Sequence, residues 1–406
     1  MKILQINKFL YHRGGAETHL FDLIELLKSH GQEVGFFSTQ SEKNITTPFN
    51  RYFIPYTEMH DQKSWLGKAK TFFNLLYSRT AAKKMEELLK DFHPDVVHLH
   101  NIYHHISPSI LPVLKRHHIP VIMTLHDYKL ISPNYRLFDR GQICECVKGG
   151  KFYNCIKHKC VFNEFLPSLG ATIEMYLHQW LKIYENNVDL YIAPSQFLKD
   201  KMVEFGQDAK KIVVLPNFIN LHTTTTLALG NYLLYTGRLV EEKGLITLLD
   251  AAKLIPEVPI HIMGTGPLHN ALFNKITLEQ INNVKLLGYK SGDEWQRELD
   301  NARAYVLPSI WYENHPISIL EASSRGKITF ASKVGGLPEI ITDGVDGMLF
   351  TMGDAEELAN KVKSVWNNDN KLKQMGEAAK KRVQEQNNPE KYYQKILEIY
   401  ERVIRK

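Results

Sequence analysis

Two glutamates, Glu313 and Glu321, sit with seven residues between them in the stretch YVLPSIWYENHPISILEASSR, Tyr305 to Arg325. The stretch opens as an apolar strand halted by Pro308, passes through a loop carrying Glu313, and turns into a helix containing Glu321. Pro316 falls where a first helical turn begins, because its missing N–H costs nothing there and its φ is already set. Gly326 is the stop signal. Asn314, His315, Pro316 and Ile317 line this turn, and the unpaired N–H groups near 315–318 form the positive end of a helix at the mouth of a strand, which attracts an anion. A carboxylate beside an anion is repelled by it, so Glu313 is better suited to accept hydrogen bonds from nearby sugar hydroxyls. Together these features outline a nucleotide-sugar pocket; the plainer reading is one glutamate on a loop and another on a helix face.

Cations stand on a second turn. NYLLYTG reads as a strand ending at Gly237; Arg238 follows at once, and Lys243 closes a short acidic loop before the next helix. An arginine fork and a mobile lysine charge flank a position fit for a diphosphate, although both are common on any surface. Two glycine turns carry a similar implication. Gly264 and Gly266 follow the strand IHIM, with Pro267 as a first helical residue; Gly14 and Gly15 follow KILQI, where a tight turn without ligand is an equal reading.

Seven histidines crowd residues 98–126, and their spacing fits no zinc signature, so most read as hydrogen-bonded loop or rim residues. His126 differs. It closes the strand PVIMTLH at the carboxyl edge where open α/β sheets bind ligands, placed to donate to a sugar hydroxyl or phosphate oxygen at neutral pH. All four cysteines, Cys144, Cys146, Cys155 and Cys160, fall in CECVKGGKFYNCIKHKC. In a reducing compartment this spells a small structural zinc knuckle of four thiolates, with His158 able to replace one ligand; free thiols are the competing reading.

These groups are positioned by an alternation of strands and helices, which specifies an α/β protein with parallel sheets. The first series runs through KILQI (2–6), EVGFFS (33–38), DVVHLH (95–100), PVIMTLHD (120–127), DLYIAPS (189–195) and KIVVLPN (211–217). The second begins at 231 and adds IHIM, VKLLGY (its following loop suited to border a nucleobase), YVL and KITFAS, then a loop with Gly335 and Gly336, where Glu339 begins a helix. The expected domains are 1–217, holding the cysteine-rich insertion 144–160, and 218–388, with Pro216, Asn217 and the threonine run 223–226 as hinge. The last stretch, 389–406, has an apolar stripe at helical spacing and must dock somewhere. Residues 63–90 read as a basic, partly amphipathic helix, fit either for a membrane surface or for packing on its own domain.

At 406 residues, 44% hydrophobic and 23% charged, the composition is that of an ordinary protein of two or three domains. No apolar run approaches the roughly 18–20 residues that span a bilayer, and the N-terminus lacks a signal-peptide pattern, so a cytoplasmic location is expected. A net charge of +6 suits phosphates or an anionic membrane face and is too diffuse for nucleic acid.

The motifs GGAE (14–17), TLHDY (124–128), IAPS (192–195), LPN (215–217), GRLVEEKG (237–244), GTGP (264–267), PSIWYENHPISILEA (308–322) and GGLPEI (335–340) span nearly the whole chain. In this order they resemble the family-4 retaining glycosyltransferases. The resemblance implies the GT-B fold, two Rossmann-like doubly wound domains facing across a cleft, with the first on the acceptor side and the second binding the donor. It implies that Arg238 and Lys243 hold the donor diphosphate with help from the Gly15 backbone, that Glu321 binds the ribose, and that Glu313 and the backbone after it bind the donor sugar. His126 would contact that sugar, and the last helix would cross back to the first domain. The reaction would transfer a hexose from a UDP- or GDP-sugar, with retention and without a metal cofactor, to a glycan or lipid-linked glycan at the inner membrane face. No role for the cysteines is implied. A nucleotide-sugar epimerase, a phosphorylase and a catalytically silent binding or scaffold subunit are the alternatives; the paired glutamates and the lack of a lysine loop for pyridoxal disfavour the first two.

Overall fold

The computed structural model describes residues 1–56, 74–220 and 229–405. They form two compact units: Met1–Arg136 with Glu145–Leu215 and Glu390–Lys406 make unit 1, and Pro216–Pro389 with the short segment Leu137–Cys144 make unit 2. The change of unit falls between Leu215 and Pro216, two residues before the expected 217/218. The threonine run 223–226 and the 63–73 part of the basic helix lie outside the described residues.

Unit 1 is built on a parallel six-stranded sheet of β1 (Lys2–Ile6), β2 (Glu33–Phe37), β3 (Val96–Leu99), β4 (Val121–Thr124), β7 (Leu190–Ala193) and β8 (Ile212–Val214), in the order β2-β1-β3-β4-β7-β8. The strands β5 (Phe138–Asp139) and β6 (Gln142–Ile143) form a separate antiparallel hairpin. Unit 2 carries β9 (Leu233–Thr236), β10 (Ile260–Met263), β11 (Val284–Gly288), β12 (Ala304–Leu307), β13 (Thr329–Ser332) and β14 (Met348–Phe350), all parallel, in the order β11-β10-β9-β12-β13-β14. Interior strands such as β3, β4 and β12 are buried at every position, which is why they read as near-continuous apolar runs.

Each sheet reverses direction at one place, between β1 and β3 in unit 1 and between β9 and β12 in unit 2. Loops leaving the carboxyl ends of such paired strands diverge and leave a crevice for a ligand. Local chemistry fixes the helices that follow. The Ser195 hydroxyl of the IAPS motif accepts from the Leu198 N–H at 3.1 Å and so starts the helix Gln196–Glu204. Pro316 caps the helix Ile317–Ser324 in extended backbone rather than forming its first turn. Pro267 likewise precedes its helix, His269–Leu278, and Leu337 rather than Glu339 opens Leu337–Ile340.

The described part of the basic helix, Arg79–Phe92, buries Ala81, Met85, Leu88, Leu89 and Phe92 within its own unit. The final helix, Pro389–Ile404, packs on unit 1 through buried Tyr392, Ile396, Tyr400 and Val403. There the Tyr393 ring stacks on His30 at 3.8 Å, and the Tyr400 hydroxyl lies 2.8 Å from His98 Nδ1.

Candidate active site

In unit 2 the loop after β9 carries Gly237, Arg238 and Lys243, and the loop after β12 carries Ser309, Trp311 and Glu313, so both leave the switch point of the sheet. Two glycines let these backbones approach. Gly264 has φ +144, and a Cβ there would lie 1.8 Å from the Gly237 carbonyl oxygen; Gly244 has φ +65, and its Cβ would lie 1.9 Å from the Pro308 oxygen. Gly264 therefore has a packing reason to be glycine, as does Gly266, whose Cβ would sit 2.4 Å from the Leu239 oxygen. The turn they form is not a helix start.

The result is a contact between residues seventy apart in sequence: Lys243 Nζ donates to Glu313 Oε1 at 2.6 Å. The Ser309 hydroxyl donates to the same oxygen at 2.6 Å, and the ammonium lies 5.3 Å from the centre of the Trp311 ring. Glu313 is 5% exposed. Burial alone would raise its carboxyl; the Lys243 charge and the Lys243 and Ser309 hydrogen bonds outweigh burial and hold it below the usual range. The sequence offered Glu313 and Lys243 as separate ligand groups, and the structure makes them one ion pair. Arg238 remains the solvent-facing cation, 68% exposed in its side chain and 3.8 Å from buried Glu242.

The glutamate loop is braced from behind. Gly336 N–H donates to the Glu313 carbonyl at 2.7 Å. Asn217, which the sequence placed in a hinge, donates through Nδ2 to the His315 carbonyl at 2.8 Å, and Asn387 donates to the Asn217 carbonyl at 2.7 Å. Asn314 is half-buried on the same loop, and Glu321 is half-buried one turn into the helix Ile317–Ser324.

Unit 1 presents a different surface at the carboxyl end of its sheet. His98 on β3, His100 after it, His126 after β4 and His19 on the helix Gly15–Ser29 come together. His104, His105, His117, His118 and His126 lie in loops, as expected for most of the seven, whereas His98 and His100 are fully buried, because each ring nitrogen finds a partner. His98 Nε2 lies 2.7 Å from the Thr124 hydroxyl. His100 Nε2 lies 2.9 Å from Gln5 Oε1. His100 Nδ1 lies 2.9 Å from His126 Nε2, so the two rings share one hydrogen bond. One ring nitrogen of His126 is therefore engaged inside the protein, with His100.

Burial, then the neighbouring His19 and His98, holds His126 well below the ordinary histidine range. Burial pushes His19 down to about 4, and burial with His19 pushes His98 down to about 3. At Gly14 and Gly15 the helix starts without a side-chain cap, and a Cβ on Gly15 would meet nothing within 4 Å, so packing does not require glycine there.

Sequence reasoning missed His19, whose place on an apolar helix face was the available signal. It also missed Glu174, buried between Lys129 at 2.8 Å and His104 at 3.1 Å, which no local pattern announces. The sequence offered four cysteines, with His158 able to replace one, as a ligand set. The ligand atoms that lie within 4.8 Å of one another belong to Cys144, Cys146, His158 and Cys160, while Cys155 is buried against Thr172 and Ser168.

Two parallel sheets of these orders are Rossmann-like domains, and they match structures of the GT-B fold. The structure of Anabaena HepE in complex with UDP-glucose matches with a TM-score of 0.66 at 20% identity, covering 98% of this chain and 99% of that one. The family profile described as Glycosyltransferase Family 4 matches residues 13–223, and that described as Glycosyl transferases group 1 matches 228–382. The chain belongs to glycosyltransferase family 4. A 42.6 kDa protein of the cps region of Klebsiella pneumoniae is 27% identical over 354 residues, 84% of this chain and 87% of that protein. The amylovoran biosynthesis glycosyltransferase AmsK of Erwinia amylovora is 28% identical over 262 residues, 61% of this chain and 64% of that protein. No described helix is long and apolar enough to cross a membrane.

Proposed function

We propose that this glycosyltransferase moves a hexose, with retention of anomeric configuration, from a UDP- or GDP-linked donor to a glycan or lipid-linked glycan during surface polysaccharide biosynthesis. The observation that carries this reading is the buried Lys243–Glu313 pair at the switch point of the unit 2 sheet, with Arg238 beside it. The named roles of AmsK and the UDP-glucose held by HepE favour the pathway and the donor class.

Glu313 fixes the Lys243 ammonium and takes one of its three N–H bonds, leaving two for phosphate oxygens. Arg238 adds a fork. In the proposed step the bond from the anomeric carbon to the diphosphate oxygen breaks and a bond to the acceptor oxygen forms on the same face. The acceptor proton passes to the departing phosphate. Charge grows on that phosphate, and preorganised donors are worth on the order of 3–4 kcal/mol each at such a position. These two cations supply the countercharge that a divalent metal provides elsewhere, so we propose a reaction independent of added metal. Glu321 serves the ribose, and the backbone of Asn314, His315 and Ile317, beside Pro316, serves the sugar. Gly14 and Gly15 in unit 1 offer N–H groups, and His126, kept neutral by burial, contacts the donor sugar. A peripheral position at the inner membrane face fits a lipid-linked acceptor.

The test is donor turnover, with and without acceptor, in the parent and in Arg238→Ala and Glu313→Ala. Turnover in the parent, lost in both variants, is expected. Donor binding with no turnover in the parent would leave a binding subunit and overturn the proposal.

A further inference from the structure

The stretch 144–160 contributes nothing to the reaction just described, yet it holds every cysteine of the chain. Its ligand atoms are assembled by local structure. Cys144 closes the β5–β6 hairpin with its N–H on the Leu137 carbonyl at 2.8 Å, and Cys146 follows two residues later. The Asn154 amide holds the Cys146 carbonyl at 2.6 Å. His158 is the last residue of the helix Tyr153–His158; Lys159 then turns left-handed, with φ 54, and swings Cys160 back so that its N–H reaches the Cys155 carbonyl at 3.1 Å. Three sulfurs and one imidazole nitrogen thus arrive within 4.8 Å of one another. A tetrahedral zinc with Zn–S of about 2.3 Å and Zn–N of about 2.0 Å keeps its ligand atoms roughly 3.5–3.8 Å apart. A small contraction of the group accommodates one ion.

A second observation points the same way. Six of the twelve non-glycine residues with positive φ among the described residues lie between 135 and 163: Tyr135, Leu137, Arg140, Lys159, Phe162 and Asn163. Such conformations cost energy and persist only where the surroundings enforce them. Here the regular structure amounts to a hairpin of two two-residue strands, a short turn and a six-residue helix. A metal held by this group would add such a constraint, because a site absent from the unfolded chain turns binding energy into folding energy.

We propose that Cys144, Cys146, His158 and Cys160 form a structural zinc site of three thiolates and one imidazole. All four come from one continuous stretch, so the site is a local knuckle. Four protein ligands leave no open position, so its metal takes no part in catalysis. The three thiolates leave one net negative charge on the zinc-bound group, and Lys157 and Lys159 flank His158 in sequence. Cys155 lies behind the ligands, within hydrogen-bonding reach of Cys160 and Thr172, as an outer-shell support rather than a ligand.

The test is metal content of the full chain purified under reducing conditions and dialysed against a moderate chelator. About one zinc per chain is expected in the parent. Replacement by cobalt(II) should give the visible bands of a tetrahedral thiolate site. Cys155→Ser should keep both the stoichiometry and the spectrum, whereas Cys146→Ser and His158→Ala should lose zinc at least about tenfold more readily to the chelator. A parent with four titratable thiols and no retained zinc overturns the site. So does a parent whose cysteines form two disulfides. Loss of zinc in Cys155→Ser with retention in His158→Ala overturns the ligand set in favour of four thiolates.

Discussion

The carboxyl ends of the two parallel sheets solve opposite electrostatic problems. In unit 2 the switch-point loops carry charged groups: Lys243 and Glu313 pair at 2.6 Å, with Arg238 exposed beside them. In unit 1 the same edge carries four ionisable rings, and burial keeps His19, His98, His100 and His126 neutral. A cationic edge suits a diphosphate; an edge of neutral acceptors and donors suits an uncharged sugar. One architecture therefore hosts either surface, and the residues on its loops decide which.

Acid should separate the two edges most strongly. The unit 1 histidines titrate lower in the folded chain than the usual 6.5, so the unfolded chain takes up protons first as the pH drops. Their contribution is complete above about pH 6.5 and fades toward about 4 for His19 and about 3 for His98, at ~1.4 kcal/mol per pH unit for each ring. Glu313 is shifted down, so its contribution is present above the usual carboxylate range and is lost only below it. Hydrogen-exchange protection, corrected for intrinsic rate, should fall in β3 and β4 between pH 6.5 and 5 while β9 and β12 hold; equal loss in both would erase the contrast.

Next in size, Lys243→Met strands a buried carboxylate and should destabilise unit 2 by about 3–5 kcal/mol in urea unfolding. Lys243→Met with Glu313→Gln should recover most of that stability but no transfer activity. Arg238→Ala should lower kcat by about 10²–10³-fold, with stability changed by no more than about 0.5 kcal/mol because the side chain is exposed. The smallest effect belongs to unit 1: Tyr400→Phe removes the hydroxyl bonded to His98 and should cost about 1 kcal/mol in urea, with donor affinity unchanged.

The parts of this contrast written in short-range patterns were legible in the sequence. Strand and helix alternation, proline and glycine stops, and the paired glutamates placed Arg238, Lys243 and Glu313 on loops at strand ends. What was not legible depends on partners far away along the chain. The Lys243–Glu313 pair joins loops seventy residues apart, and Gln5, on the first strand, meets His100, which in turn meets His126. A histidine in a strand gives no local sign of whether it will be solvated or satisfied inside. The cysteine stretch offered four thiolates or three with His158; the left-handed turn at Lys159, which brings Cys160 back beside His158, is a backbone event that residue type does not announce.

The most direct test is calorimetric titration with UDP and GDP of the parent, Lys243→Met, Arg238→Ala and His126→Ala. Binding of at least one nucleotide to the parent, weakened at least about tenfold by each cation substitution and unchanged by His126→Ala, is the expected result. Nucleotide affinity that ignores Lys243 and Arg238, or that falls as far in His126→Ala, would contradict the assignment of the diphosphate to the charged edge.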